Sequence, residues 1–190
     1  MKLVFLLEEP SMQAALEGIL PRLIPGVWFQ CVPHEGKQDL EKSVPRKLRG
    51  WREPGVRFIV VRDQDSADCH DVKNILVALC QEAKRPDTLV RVACRELEAW
   101  FLGDLQAVER GLGIENLACR QGKTRYREPD HNGNPFQELR RLVPTYQKVS
   151  GARRIGSHLT LDHPRSHSFA IFLQGIRRIV DTRNLDENPT

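Results

Sequence analysis

The chain has 190 residues, 28 % of them charged and 40 % apolar, with a formal net charge of +4. That is enough for one domain with a sizeable core, and no apolar run is long enough for a transmembrane helix. The five cysteines, Cys31, Cys69, Cys80, Cys94 and Cys119, form no C-x-x-C pair, which argues against a disulfide framework or a zinc knuckle.

The first segment, KLVFLL (2–7), reads as a buried strand. It is too short for a signal peptide, it meets Glu8 and Glu9, and it lacks a small-residue cleavage site, so a cytoplasmic protein is expected. PSMQAALEGILPRL follows as a helix opened by Pro10, with Ser11 near its cap. GVWFQCVP (26–33) is a second strand, and KQDLEKSVPRKLRGW (37–51) a helical stretch interrupted at Pro45. VRFIVV (56–61) is a third, continuously apolar strand. DCHDVKNILVALCQEA (68–83) is a helix, with Asp68 as its cap and Val72, Ile75, Leu76, Leu79 and Cys80 on one side. TLVRVAC (88–94) is a fourth strand, and ELEAWFLGD (96–104) a short helix ended at Gly103. Cys80 and Cys94 read as core thiols, as do Trp100 and Phe101 as core aromatics.

Apolar strands alternating with helices predict an α/β fold: a mostly parallel central sheet of about four strands, flanked by helices. Beyond residue 104 the pattern is helical, in DLQAVERGLG, PFQELRRLVP and SFAIFLQGIRRIV. RQGKTRYREPDHNGNP between them reads as a mobile loop or insertion. The expected organisation is an α/β core over 1–103 and a basic helical extension over 104–190, packed into one compact domain.

Charge divides along the same line. Arg120 to Arg183 holds 13 Lys and Arg against five Asp and Glu, and the remainder is net acidic. A basic region beside an acidic one suits a polyanion held near metal ions; an ordinary solubilising surface is the competing reading.

Ligands of open α/β sheets bind beyond the carboxyl ends of the strands. Three of the four strands here end in acid: Glu8 and Glu9, Asp63 and Asp65, Glu96 and Glu98. Helix caps explain one acid per junction, not pairs at three. Gathered at one rim, such acids repel one another unless a cation sits among them. An all-oxygen set suits Mg²⁺ or Mn²⁺. On an extended chain residues two apart point the same way, so Asp63 and Asp65 would address one ion or a pair. His158, His163 and His167 have irregular spacing that fits no standard metal site, and Ser166 reads as the cap of the last helix. GKT (122–124) lacks the strand and leading Gly of a phosphate-binding loop.

LVFLLEEPS, then a helix, then FIVVRDQD resembles the Toprim fold of topoisomerases, bacterial primases and overcoming-lysogenization-defect (OLD) type nucleases. LLEEPSMQAAL, GKQDLEKSVPRKLRGW, VVRDQDSADC, RVACRELEAWFLGD and RSHSFAIFLQGI are similar to a bacterial Toprim-like family known as a domain of unknown function, and CRELEAWFL is similar to a segment of RloB-like phage-resistance proteins. The resemblance implies a Toprim-like Rossmannoid core. Its metal ligands and catalytic acids would be Glu8, Asp63, Asp65 and Glu98, the last ahead of Glu96. The pattern departs at Glu9, which stands where many Toprim nucleases have Gly; Met12 and Gln13 stand where a further acid is expected, so either Glu9 substitutes as a ligand or the site holds fewer ions. The implied activity is Mg²⁺- or Mn²⁺-dependent hydrolysis of DNA or RNA in anti-phage defence, with a separate ATPase subunit as partner. Lys148 and Lys37 are the candidate cations near the phosphate. Two other readings stay open: a phosphatase or phosphoacceptor using Asp63, and a non-catalytic partner-binding module.

Overall fold

The computed structural model describes residues 1–186, with side chains as far as 182; the last residues of the expected 104–190 extension, and the side chain of Arg183, lie outside that range. Four strands form the sheet: β1 (Lys2–Leu7), β2 (Trp28–Pro33), β3 (Val56–Asp63) and β4 (Leu89–Ala93). All pairings are parallel and the order is β2-β1-β3-β4. The chain therefore steps outward from β1 to β2, then crosses back past β1 to β3 and β4. The direction of winding reverses between β1 and β3, the point at which open α/β sheets place a ligand site.

Alternation along the strands divides the core in two. Val4, Leu6, Phe58 and Val60 face α2 (Lys37–Gly50) and α3 (Cys69–Glu82). Leu3, Phe5, Leu7, Ile59 and Val61 face α1 (Pro10–Leu23) and the C-terminal helices. These are α4 (Glu98–Leu102), α5 (Leu105–Leu112), α6 (Thr124–Arg127), α7 (Pro135–Leu142), α8 (Lys148–Gly156) and α9 (His167–Asp186). Trp100 stacks on Phe169 at 4.7 Å and its indole donates to Ser168, joining α4 to α9. Among the described residues no helix is long and apolar enough to cross a membrane.

Four expectations need correction. Helix α2 runs unbroken through Pro45, because Leu40, Val44 and Leu48 are buried along one face and hold both halves in line. Ile75 of α3 is 49 % exposed, outside the buried stripe of Val72, Leu76 and Cys80. The segment 120–135 is pinned rather than loose. The Gln121 side chain bonds the backbone of Leu102, Leu105 and Tyr126, Tyr126 is buried on Glu138, and Asp130 accepts from Ser166 and from the Ser168 amide. Helix α8 was not expected: KVSGARRIG carries two glycines and little apolar periodicity. Asp68 and Ser166 cap α3 and α9 as expected.

Helix α8 is positioned by contacts in which backbones nearly touch. A Cβ on Gly156 would stand 2.5 Å from Ala15 O of α1, and one on Gly18 of α1 2.6 Å from Ser157 N. A Cβ on Gly111 of α5 would stand 2.8 Å from Arg154 O. Small residues let α8 sink between α1 and α5, and its first residue, Lys148, reaches Glu9 just beyond the end of β1.

Candidate acidic site

Asp63 is the last residue of β3, and Glu8 is the first after β1. The neighbouring strand ends join through Glu8 Oε2, which accepts the Asp63 amide at 3.0 Å. Glu98 opens α4 and is fully buried. Its Oε1 accepts from the Tyr146 hydroxyl at 3.0 Å, while its Oε2 and Asp63 Oδ1 are buried without a hydrogen-bond partner. Glu9 occupies the N-cap position of α1 in extended conformation without a side-chain capping bond, and its carboxylate accepts from the Ser11 hydroxyl. Lys148 Nζ donates to both Glu9 oxygens, at 3.1 and 3.3 Å, and lies 5.3 Å from the centre of the Phe136 ring.

The electrostatics follow from burial. Burial raises the Asp63 pKa well above the carboxylate range, and the nearby charges of Glu98, Glu8 and Glu9 raise it further. Burial lifts Glu98 to about 7 against the pull of Lys148. Burial raises Glu8, the Asp63 amide opposes it, and Asp65 adds to it. Burial works against the Lys148 ammonium, yet Glu98, Glu9 and Asp63 outweigh it and raise its pKa. Burial beside the Glu98 carboxylate also raises Tyr146.

The fold thus brings Glu8, Glu9, Asp63, Glu98 and Lys148 to one rim. Asp65 sits apart from the buried pair. Its φ is +56°, so the chain has left the extended conformation and the same-side argument for D-x-D no longer holds. Its carboxylate pairs instead with Lys37 at 3.3 Å in the open. Glu96 accepts the Phe136 amide at 2.8 Å and serves the start of α7, which leaves Glu98 as the inward acid of that junction. His158, His163 and His167 are exposed, and Trp100 and Phe101 are buried in the core.

Two site residues had escaped notice. Arg62 is a 5 % exposed cation within an apolar strand. It bonds Glu41 at 2.5 Å and lies 3.8 Å from Glu8 Oε2. A charge inside FIVVRD was its visible signal. Tyr146 carried none, because only tertiary contact puts it on Glu98.

Do these residues fit Mg²⁺ or Mn²⁺? The donors are hard oxygens, and two of them are unpartnered. Against that, a resident ammonium already faces Glu9, Glu98 and Asp63. Among the described residues no group of three or more His, Cys, Asp or Glu is arranged to hold a metal ion. In this arrangement the fit is not met.

A family model described as a domain of unknown function (DUF4276) matches residues 7–177. No curated protein and no solved structure matches the chain.

Proposed function

We propose that this chain, which belongs to the DUF4276 family, is a Toprim-like partner-binding module whose acidic rim is closed by its own cation in the isolated protein. The observation that carries this reading is the Lys148 ammonium, bonded to both Glu9 oxygens and within electrostatic reach of Asp63 and Glu98. It supplies the countercharge that a metal would otherwise bring. Partial protonation of Glu98 and a raised Asp63 pKa lower the remaining negative charge. The partner that the family resemblance implies is a separate ATPase subunit.

A phosphoacceptor role for Asp63 fares worse. The nucleophile of such a step must be ionised and reachable. Asp63 is 4 % exposed with a raised pKa.

A second reading has its own support: a Mg²⁺- or Mn²⁺-dependent nuclease acting on DNA or RNA. Asp63 Oδ1 and Glu98 Oε2 are two buried, unpartnered acid oxygens, and buried polar atoms rarely go unsatisfied without a functional reason. As arranged the donors do not fit the ion, and Glu9 and Lys148 would have to part before Glu8, Asp63 and Glu98 could hold it.

The deciding experiment is cleavage of labelled DNA and RNA with Mg²⁺, Mn²⁺ or EDTA, by wild type beside Asp63→Ala, with Mn²⁺ binding followed by electron paramagnetic resonance. The module reading expects no cutting by either protein. Metal-dependent cutting by wild type that Asp63→Ala loses replaces it with the nuclease.

A further inference from the structure

Strand β4 lies at an edge of the sheet. It pairs Ala93 with Asp63, and Ala93 O accepts Gln64 N from the β3 side at 2.9 Å. Backbone polar groups alternate in direction along a strand. Those of Leu89, Arg91 and Ala93 therefore face β3, and those of Val90, Val92 and Cys94 face away. Two outward carbonyls are taken: Arg91 Nη1 donates to Val90 O at 2.8 Å, and Glu96 N to Cys94 O at 2.9 Å. The N–H and C=O of Val92 stay on the open side, where no strand among the described residues pairs with them.

A groove of about 300 Å³ follows this edge between α3 and α9. Val90, Val92 and Ile171 give it apolar walls, and Ile171 is 37 % exposed. Among the described residues Lys73 and Arg91 line it and no carboxylate does. Arg91 is partly buried on α9, where its Nε donates to Ile171 O at 3.1 Å. Burial and the neighbouring Arg178 push its pKa down. An unpaired edge is a template for another strand, and here the groove beside it carries unanswered positive charge.

We propose that the β4 edge receives an extended, carboxylate-bearing segment of a partner protein as a fifth strand. Its main chain would bond Val92. Its side chains would alternate between Val90 and Val92 on the α3 side and Arg91 on the α9 side. The partner-binding reading supplies the setting, while the geometry belongs to a separate face of the molecule.

The probe is a fluorescent octapeptide of alternating valine and glutamate, titrated into the full chain and read by anisotropy, with a valine–lysine peptide beside it. The acidic peptide is expected to bind saturably, about ten-fold or more tighter than the basic one, and to weaken with salt. Val92→Pro removes an outward N–H without breaking a β3 bond and should abolish binding. Lys73→Glu, at an exposed helix position, should weaken it about ten-fold and serves if Val92→Pro does not fold. Equal binding of both peptides, unchanged binding by Lys73→Glu, or no saturation overturns the proposal. So does a wild-type dimer that Val92→Pro dissociates, since the edge would then serve a second copy. Nucleic-acid cleavage tests the preceding reading and leaves these outcomes unchanged.

Discussion

Glu98 pairs with the Tyr146 hydroxyl through one oxygen and keeps the other buried and unpartnered. Its pKa of about 7 lies above the ordinary 4.5, so the folded state binds the proton more tightly than the unfolded one. Below about pH 4.5 both states are protonated and the residue is neutral for stability. As pH rises to about 7 the burden of Glu98 on the fold grows, then levels off near about 3 kcal/mol. Glu98→Gln keeps an acceptor for Tyr146 and removes the charge. It should raise stability by up to that amount at pH 8 and change little at pH 4, measured by urea unfolding at both. An equal effect at the two pH values would contradict a raised Glu98. Glu8 differs, because it satisfies the Asp63 amide. Glu8→Ala leaves that N–H without its acceptor and should destabilise by about 1–3 kcal/mol, read by the same urea unfolding.

Helix α8 makes the rim what it is, and glycine makes α8 possible. A Cβ at Gly151 would lie 2.4 Å from the ring of Tyr146, the residue that holds Glu98. Gly151→Ala should displace Tyr146, destabilise by about 1–3 kcal/mol, and shift the Glu98 titration seen by carboxyl carbon NMR. Gly156→Ala meets α1 backbone instead of a side chain and should destabilise at least as much. Gly50, at the end of α2, has open space where its Cβ would stand, so Gly50→Ala should be neutral or slightly stabilising. Thermal melts of the three variants separate close helix packing from a general intolerance of added methyl groups.

Across the whole molecule, Phe169, Phe172 and Ile176 of α9 share one apolar cluster with Leu3 and Phe5 of β1. A sheet face covered by the later helices would be exposed in a 1–103 fragment. The proposal is one cooperative unit: near- and far-ultraviolet circular dichroism should give coincident melting curves, and the 1–103 fragment should lack a sharp transition. Two separated transitions would divide the chain into independent parts instead.

What the amino-acid order determined by itself was periodic or terminal. Runs such as KLVFLL and FIVV marked buried parallel strands, Asp68 and Ser166 marked helix starts, and acids at strand ends marked a rim. These signals are local, so they survive without knowledge of neighbours. The tertiary structure decided everything that depends on approach between distant segments. It sank α8 against α1 and α5 through glycines, put Lys148 against Glu9, and turned Tyr146 onto Glu98. It also carried α2 through Pro45 and moved Asp65 off the extended path. The physical reason is that packing distance, desolvation and mutual charge belong to pairs of residues up to about 140 positions apart, as in the Lys148–Glu9 contact. No spacing within one segment encodes them.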